Sequence, residues 1–586
     1  MGKRFSILAA MAAAALVAAV AIPAGAASTG DTRVDVGSPS TPFSQNKQNE
    51  PALAVDANHP DVLVAGSNDN IDMEACNAGT DNTCPFTPGV GVSGVYFSFN
   101  KGATWTQPTY TGFTGRKCLG KPGNNDPECT GDVGSIGTLP KYYDNGLVSD
   151  GDPALAFGPV PDSSGHFSWS NGSRLYYGNL TSNFPGDSTF KGDEAVAVST
   201  TDDVQAAAAG KDDAWTDPVI VSKQTSTTFS DKDQIWADNA ASSKFFGNVY
   251  VCLGDFKGSG NSATLSLDVA TSTDGGSNWH VKHVIAPQTT DLSGCTVRTD
   301  SKGVVYLFVM QFANGMPGRG QHLMIKSYDG GKTWTKAQRI GLAVDTCFSA
   351  QFDGDSPRCV EDGVAGARDD LSPAPSVDIA NGAPTGAKAT NEIVRSWVDG
   401  RDGVAHPHVF VSKSTNGGST WTAPTATESS GDRGYYSAIA VSPDGTDAYL
   451  VYNAFTTRFR HNTTATRGLV GVVKHADIAS SGAFGRWSTL HRGVVGDPRG
   501  SAQNNLVLEF LGDYVYAVAT RTYGAGVWND MRNGAVCPAI QRWRAAVQDA
   551  VNNGTAIPAP PAPEKRCPAG FGNSDIYGGG FADPTP

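Results

Sequence analysis

The chain has 586 residues, of which only 17% are charged, and its formal net charge is −13 at pH 7. This charge argues against a nucleic-acid partner, because binding to phosphates requires a basic face. With 69 glycines, 34 prolines and almost no long helical pattern, the composition is typical of many short strands joined by turns.

The first 26 residues have the features of a secretory signal peptide. Lys3 and Arg4 precede an apolar run at residues 7–22, and the small residues 24–26 offer a cleavage site. A membrane anchor is the alternative, but the run is short and no second long apolar run follows it. We therefore expect a secreted, extracellular protein without a membrane span, with a mature chain that begins near Ala27.

Ten cysteines, an even number in an exported chain, predict disulfide bonds. Proximity in the sequence suggests four pairs and leaves two cysteines for a fifth. The expected pairs are Cys76–Cys84, Cys118–Cys129, Cys347–Cys359, Cys537–Cys567 and Cys252–Cys295. No Cys-x-x-Cys pair or Cys/His cluster indicates zinc.

Along the chain, apolar strand–turn–strand segments recur. Each combines two apolar strands and a polar turn, as at residues 50–69, 152–159, 233–256, 293–312 and 436–455. Glycine turns that end in tryptophan also recur, at SFNKGATW (98–105), STDGGSNW (272–279), SYDGGKTW (327–334) and STNGGSTW (414–421). Glycine supplies positive φ in such a hairpin, and Ser with Asp or Asn can bond to the turn backbone. Two strands and one hairpin make a four-stranded propeller blade.

The number of blades follows from the closing tryptophans. Four clear turns and two degenerate copies, at residues 199–215 and 474–487, favour six blades. A last apolar segment, residues 505–521, either closes the sixth blade with residues 34–36 or begins a seventh. The sequence therefore predicts an all-β propeller with six or seven blades.

The turn pattern Ser-x-Asp-x-Gly-x-x-Trp resembles the Asp box of bacterial sialidase-like (BNR-repeat) propellers. The repeats cover residues 49–532, most of the mature chain, although the copy at 414–421 has Asn416 in place of Asp. In that family the box lies at the blade rim, away from the active site. The resemblance therefore implies a structural role for these turns and their tryptophans.

Chemistry in a propeller is expected where the innermost strands begin, over the central channel. Residues at these positions are Glu50, Asp152, Asp233, Arg298, Asp369, Asp370, Tyr435, Tyr436 and Asn504. Carboxylates, a Tyr and Arg residues suit a glycosidase, and sialidases use a Tyr nucleophile. The resemblance implies Tyr436, in a Tyr-Ser pair, as nucleophile, Asp69 or Asp72 as acid/base, and Glu361 or Glu392 as the partner of the Tyr. The alternative is that Tyr436 only begins a strand.

A sialic acid carboxylate is clamped by three arginines in the resembled family, since guanidinium binds carboxylate in a bidentate manner. Arg298, Arg395 and Arg521 are candidates for this clamp. The first family arginine, however, belongs to an Arg-Ile-Pro motif, where this chain has Gln48-Asn49-Glu50-Pro51. Glu50 at that position would repel sialic acid and puts sialidase activity in doubt.

Three further features are less specific. The pattern Trp-x-Asp-x-Arg occurs at 397–401 and 528–532, either as a functional Asp–Arg pair or as a strand-end salt bridge packed under a Trp, which we favour. Oxygen-rich segments at 68–83 and 124–132 leave calcium open as a ligand, with a solvated, disulfide-pinned loop as the alternative. Residues 537–552 predict a helix with Trp543, Ala546 and Val547 on its apolar face.

The sequence thus predicts a signal peptide at 1–26, a propeller at 27–535 and a helix with a flexible Pro/Gly-rich tail at 536–586. The function that the resemblance implies is a secreted glycoside hydrolase of the exo-alpha-sialidase type, acting as a monomer on extracellular glycans. Two alternatives stay open: a propeller that binds glycan or protein without catalysis, and a polysaccharide lyase with Tyr436 and Arg298 in its site. The fold alone does not decide between them.

Overall fold

A computed structural model gives the fold of the chain. It describes residues 31–39, 44–73, 87–117, 130–258, 264–290, 292–312, 318–346, 349–352, 357–363, 367, 371–479, 482–501, 506 and 511–586. Within this part of the chain, antiparallel strands form seven radial sheets, which we number as blades 1 to 7. The all-β propeller predicted from the repeats is confirmed, and of the two blade counts left open the structure has seven.

The first four blades follow one another along the chain. Blade 1 contains Gln48–Val55, Leu63–Asp69 and Ser93–Ser98. Blade 2 contains Leu147–Ser149, Ala154–Pro161, Phe167–Asn183, Ala195–Thr201 and Val219–Ile220. Blade 3 contains Thr228–Ala237, Val249–Lys257, Thr264–Ser272 and His280–Gln288. Blade 4 contains Leu292–Thr299, Val305–Phe312, Arg319–Ser327 and Gln338–Val344.

The last three blades complete the ring. Blade 5 contains Ser376–Ile379, Ile393–Asp399, His408–Ser414 and Thr425–Ala426. Blade 6 contains Arg433–Val441, Asp447–Phe455, Leu469–Asp477 and Ser488–Arg492. Blade 7 contains Tyr516–Ala519, Tyr523–Asp530, Asp575–Ala582 and, at its outer edge, Thr32–Arg33. Two-stranded ribbons, Tyr110–Thr114 with Asp132–Ile136 and Ser349–Phe352 with Pro357–Val360, lie outside the blades.

The innermost strand of each blade lies beside that of the next blade, and the seventh lies beside the first, so the ring is closed. Closure joins the two ends of the described chain, because Thr32 pairs with Gly578 in the last long strand. The core lies between blades, where strands bury alternating apolar residues. Between blades 5 and 6, for example, Val398, Val409, Ile439 and Leu450 are fully buried.

Strand direction separates the molecule into two faces. Successive strands of a blade run antiparallel, so the innermost strands all begin at one face, which we call the upper face, and end at the other, the lower face. The connection from the third to the fourth strand therefore lies on the lower face. Three of the Ser-x-Asp/Asn turns are connections of this kind, and the one at residues 98–105 follows the third strand of blade 1. All four turns therefore lie on the face opposite to the beginnings of the inner strands.

The four turns share one hydrogen-bond pattern. Ser327 Oγ donates to Asp329 Oδ1 over 2.8 Å and accepts from the Gly331 amide over 2.9 Å, while the Thr333 amide donates to Asp329. The turns that begin at residues 98, 272 and 414 repeat these bonds, with Asn in place of Asp in two of them. These side chains hold the backbone of the turn.

The C-terminal region differs from the flexible tail predicted from the sequence. Helix Pro538–Asn553 is present, and Trp543 and Val547 are buried in it while Ala546 is exposed. The residues beyond it, however, return to the propeller as Asp575–Ala582, the third strand of blade 7. This strand contains three consecutive glycines, so its sequence lacks the pattern expected of a strand. A Cβ on Gly578 would lie 2.3 Å from the Gly526 carbonyl oxygen, so the close pairing requires glycine there.

Other local elements agree with the sequence or lie beyond the described residues. The disulfides Cys252–Cys295 and Cys537–Cys567 are present as predicted. The other three expected pairs each include a residue outside the described part. Short helices Val204–Ala208 and Pro563–Arg566 complete the secondary structure. None of the described helices is both long and apolar enough to cross a membrane.

Candidate functional site

A repeated backbone feature marks the upper end of the channel. Where the innermost strands begin, Glu50, Asp152 and Lys232 have left-handed φ values of 55°, 49° and 57°, and Gly294 and Gly512 have 63° and 85°. Most of these positions adjoin a bulge in the pairing with the second strand. A left-handed conformation costs a non-glycine residue about 1–2 kcal/mol. Three charged residues in this conformation at one mouth therefore indicate a functional site.

Lys232 lies among three carboxylates at this mouth. Its Nζ lies 3.1 Å from Asp513 Oδ2, 3.4 Å from Asp152 Oδ2 and 3.7 Å from Asp231 Oδ1. Burial on its own would lower the pKa of Lys232, but these carboxylates outweigh it and raise the pKa well above the ordinary value. Lys232 is therefore charged, and one cation is shared by three acids.

Glu50 is tied into the same group of residues. Its Oε1 accepts from the Asp513 amide over 3.0 Å, and its Oε2 accepts from Asn68 Nδ2 over 2.7 Å. Asn68 Oδ1 in turn accepts a hydrogen bond from the backbone amide of Asp152 over 2.8 Å. Burial, and then the charges of Asp152 and Asp513, raise the pKa of Glu50 well above its ordinary value. This shift favours the protonated form of Glu50, and its hydrogen bonds to Asp513 and Asn68 order the mouth.

Asp233 differs from its neighbours because its carboxyl group has no bound partner. The residue is 5% exposed, and neither side-chain oxygen forms a hydrogen bond to a described residue. Burial, followed by the charges of Asp152 and Asp231, raises the pKa of Asp233 well above its ordinary value. A buried carboxylic acid whose pKa is raised in this way favours its protonated form and can give the proton to a bound group.

Tyr436 contacts the cluster through Asp513. Its hydroxyl donates to Asp513 Oδ1 over 3.2 Å, while Asp513 Oδ2 contacts Lys232. The Tyr436 ring is 1% exposed and packs against Tyr435 with ring centroids 4.3 Å apart. Tyr436 is thus paired with an acid, although the acid is Asp513 rather than Glu361 or Glu392.

A cavity of about 80 Å³ lies at this mouth. Polar residues from several blades line it, including Asp152, Lys232, Asp233, Arg298, Asp513 and Tyr514. Its apolar lining includes Leu371, Ala374 and Val515. The structure therefore brings Glu50, Asp152, Asp233 and Tyr436 from the sequence prediction to one mouth, and their roles stay predictions.

The three predicted clamp arginines do not converge. Arg298 lies deeper in the channel, 3.5 Å from Asp378 Oδ1, with its guanidinium 4.6 Å from the centre of the Trp236 ring. Arg395 is buried between blades, where it contacts His322 and the Ile340 carbonyl, and burial lowers its pKa to about 9. Arg521 follows an inner strand and so lies on the lower face. No carboxylate clamp forms from these three residues.

Asp69 and Asp72 are held by the fold around them. Asp69 accepts from Gln48, Tyr96 and Gln107 side chains and from the Ile71 amide. Asp72 lies 2.6 Å from Arg116 Nη2 and accepts from the Gly137 and Thr138 amides; burial raises its pKa to about 6. These contacts favour a local structural role over the acid/base role predicted from the sequence.

The other predicted acids are spread over the molecule. Glu392 precedes the second strand of blade 5, which places it on the lower face, where it is paired with Lys413. Glu361 is fully buried, and burial raises its pKa well above the ordinary value. Asp369, Asp370 and Asn504 lie outside the described residues, as does most of the two segments considered for calcium.

Sequence reasoning missed Lys232, Asp231 and Asp513 as members of the site. The signal for the first two was the run Asp-Lys-Asp at 231–233, where the prediction took only its last residue. Asp513 follows a glycine just before an inner strand, as Asp152 follows Gly151. Both signals are visible only when the beginnings of the inner strands are aligned across blades.

The Trp-x-Asp-x-Arg pattern forms a strand-end salt bridge in both copies. Trp397 Nε1 donates to Asp399 Oδ2 over 2.9 Å, and Arg401 binds both oxygens of Asp399 at 2.8 Å. Residues 528–532 repeat the arrangement with bonds of 3.3, 2.9 and 2.7 Å. The favoured interpretation, a structural salt bridge under a Trp, accounts for both copies.

Comparison with known proteins gives distant likenesses only. No protein-family model matches the chain, and no curated protein matches it. Among solved structures, the chain is similar to the leech intramolecular trans-sialidase, at 12% identity and a TM-score of 0.37, covering 70% of this chain and 65% of that protein. It is also similar to the Trypanosoma rangeli sialidase, at 11% identity and a TM-score of 0.33, covering 83% of this chain and 69% of that one.

A third similar structure is the alpha-L-arabinofuranosidase Arb93A of Fusarium graminearum, at 11% identity and a TM-score of 0.34. The match covers 75% of this chain and 94% of that protein. The chain spans 65% of the length of the leech protein. The seven-bladed fold described above rests on the strand pairing of this chain, and these sialidases and the arabinofuranosidase are what the chain is similar to.

Proposed function

We propose that the chain is a secreted, monomeric glycoside hydrolase of sialidase-like type, acting on extracellular glycans at the upper mouth of the channel. The observation that carries this proposal is Asp233, a buried acid with a raised pKa and two unpaired oxygens in a cavity shared with Asp152 and Asp513. Glycosidases need a proton donor and a second group that supports the developing cation. Disulfides such as Cys252–Cys295 support an oxidising compartment.

The proposed reaction assigns one step to each residue. Asp233 gives its proton to the leaving glycosidic oxygen as the bond from that oxygen to the anomeric carbon breaks. The Tyr436 oxygen attacks this carbon, and Asp513 accepts the phenol proton across the 3.2 Å hydrogen bond. Water then attacks the anomeric carbon as its bond to the Tyr436 oxygen breaks. The water gives a proton to the Asp233 carboxylate, and Asp513 returns the phenol proton to Tyr436. Lys232 keeps Asp513 in position throughout.

The charges of the mouth favour a glycan without a carboxylate over a sialoside. Asp152, Asp231 and Asp513 surround one lysine, Arg298 lines the same cavity but is paired with Asp378, and Arg395 and Arg521 are held elsewhere. A substrate carboxylate would therefore meet more negative than positive charge. The exo-alpha-sialidase activity that the sequence resemblance implies is thus the less favoured substrate choice within the same proposal.

One observation favours a second candidate function, a glycan-binding propeller without catalysis. The Tyr436 ring is only 1% exposed, and a nucleophile must reach its substrate. In a binding protein, the Tyr436–Asp513 hydrogen bond would only order the mouth. The lyase alternative has less support, because Arg298 contacts Asp378 and the Trp236 ring and would not be free to neutralise a uronate.

A panel of fluorogenic glycosides tests the proposal, with neutral arabinosides and galactosides beside sialosides. We expect turnover of a neutral glycoside, and a loss of at least about 100-fold in Tyr436→Phe, because this variant removes the proposed nucleophile. The matched control is Tyr328→Phe, since Tyr328 is 63% exposed and should change nothing. Glycan binding without any turnover would replace the hydrolase by the binding propeller, and sialoside turnover would overturn the substrate choice.

A further inference from the structure

Four side chains that can bind metals meet on the lower face, far along the chain from one another. Asp447 begins the second strand of blade 6, and His475 and Asp477 end its third strand. Asp583 directly follows the last strand of blade 7. Three strands from two blades therefore contribute to one group, which we call the rim cluster. It plays no part in the proposed glycosidase site.

The spacing of the rim cluster fits one ion. His475 Nε2 lies 3.0 Å from Asp447 Oδ1, 3.8 Å from Asp583 Oδ1 and 3.9 Å from Asp477 Oδ1. All four donor atoms lie within 4.8 Å of one another. A tetrahedral zinc ion holds its ligand atoms at about 2.0–2.2 Å, so that they lie about 3.3–3.6 Å from one another. Binding would therefore draw the most widely separated of these atoms together by about 1 Å.

The imidazole supplies an observation separate from the three acids. The His475 side chain is 3% exposed, and outside the rim cluster no described residue hydrogen-bonds to its ring. Its Nε2 is thus buried and directed only at the carboxylates. In the described part of the chain, moreover, no lysine or arginine forms an ion pair with Asp447, Asp477 or Asp583. His475 is the only basic side chain that the described ion pairs place beside these three carboxylates, so their combined charge favours a bound cation.

We propose that Asp447, His475, Asp477 and Asp583 form a binding site for a divalent transition-metal ion of the zinc or manganese class. One imidazole nitrogen among carboxylate oxygens distinguishes this donor set from the all-oxygen sets of calcium and magnesium. Four protein ligands match the usual number for structural zinc. Asp477, which is 57% exposed at its side chain, leaves a path for the ion from solvent.

Such an ion would reinforce the closure of the ring. Asp583 belongs to the segment that ends blade 7, whereas the other three ligands belong to blade 6. Binding would therefore join the last strand of the chain to its neighbouring blade, and a ligand that binds only the folded state stabilises it. The role is structural and does not depend on whether the upper mouth is catalytic.

Isothermal titration of the full chain, without a histidine tag and after chelator dialysis, tests this site. We expect one equivalent of Zn²⁺ or Mn²⁺ to bind, to raise the melting temperature, and to be preferred to Ca²⁺. His475→Gln and Asp477→Asn should each weaken binding by at least the 10- to 100-fold that loss of an outer-sphere partner costs. The exposed Asp477 makes the second variant safe for folding.

His283→Gln is the matched control, because His283 also contacts an aspartate, Asp268 at 2.6 Å, but is not part of the rim cluster. It should keep full affinity. Three results would overturn the proposal: no binding of Zn²⁺ or Mn²⁺ to the folded chain, unchanged affinity in both cluster variants, or tighter binding of Ca²⁺ than of either transition metal.

Discussion

The two faces of the propeller shift the pKa values of aspartate side chains in opposite directions. On the lower face, Asp329 lies in a turn where Thr333 and Ser327 donate hydrogen bonds to it, and these bonds lower its pKa to about 2. On the upper face, Asp233 has no such donors, and burial raises its pKa well above the ordinary value. One residue type thus favours its ionised form in the first place and its protonated form in the second.

This difference distinguishes the repeated turns, which have a structural role, from the upper mouth, which is the candidate functional site. The turns are copied around the ring, and in each of them the Ser side chain hydrogen-bonds to the Asp or Asn and to a Gly amide, so they secure the fold. The upper mouth is built from unlike residues in strained backbone, with one cation for three acids. Backbone strain at charged residues, together with incomplete pairing of their side chains, is where function is expected in a repeated fold.

The largest effect is expected from removing the shared cation in Lys232→Met. Breaking a buried ion pair by removal of one partner costs about 3–5 kcal/mol, because the other charges stay buried without compensation. We expect a loss of this size in the free energy of unfolding, measured by urea denaturation. Lys336→Met, at an exposed position, is the control. A loss below about 1 kcal/mol, as for a surface ion pair, would mean that the cluster is solvated.

A somewhat smaller effect is expected in the pH dependence of stability. Burial raises the pKa of Asp231 to about 6, so the folded state holds a proton that the unfolded state, with a pKa of about 3.9, has lost. The contribution of Asp231 is therefore present below pH 4 and is lost as the pH rises to about 6. The free energy of unfolding, measured at pH 4, 5, 6 and 7, should fall less steeply with rising pH in Asp231→Asn than in wild type. The difference between the two proteins should amount to about 2–3 kcal/mol over this range.

The exposed Asp217 gives the control for this comparison, because Asp217→Asn should leave the slope unchanged. Equal slopes in wild type and Asp231→Asn would contradict the proposed protonation of the upper mouth.

The smallest effect is expected on the lower face, in Ser327→Ala. Ser327 is fully buried, and its loss leaves the Gly331 amide without its acceptor, which costs about 1–3 kcal/mol. The free energy of unfolding should fall by about this much, while glycoside turnover stays within twofold of wild type. The exposed Ser277→Ala serves as the control. A large loss of turnover at unchanged stability would give the turns a part in the chemistry and end the contrast between the faces.

Much of the fold was accessible from the sequence because its units repeat. The turns and the strand–turn–strand segments predicted the propeller, but left open whether the apolar segment at 505–521, which contains the inner strand Tyr516–Ala519, closes a sixth blade or begins a seventh. The strand Asp575–Ala582 was not accessible, because its glycines lower strand propensity and its role depends on pairing with residues 523–530 and 32–33. Ring closure joins distant parts of the chain, which a local pattern does not encode.

The sequence predicted only those residues of the candidate site whose location follows from their position along an inner strand. Glu50, Asp152, Asp233 and Tyr436 occur where inner strands begin, and the structure brings them to one mouth. Arg521 comes just after such a strand, so a few residues of chain move it to the opposite face. Which partner each side chain meets also depends on packing between blades, and for that reason the sequence did not pair Tyr436 with Asp513.

The measurement that tests the central claim most directly compares kcat/KM of Asp233→Asn and Asp329→Asn with wild type, on the best neutral substrate of the glycoside panel. The account predicts a loss of about 10²–10⁴-fold for Asp233→Asn, the usual contribution of a general acid. Asp329→Asn should stay within twofold, since Asn already occupies the same place in the turns at residues 98 and 414. Full turnover in Asp233→Asn, or equal losses in both variants, would contradict the assignment of the chemistry to the upper mouth.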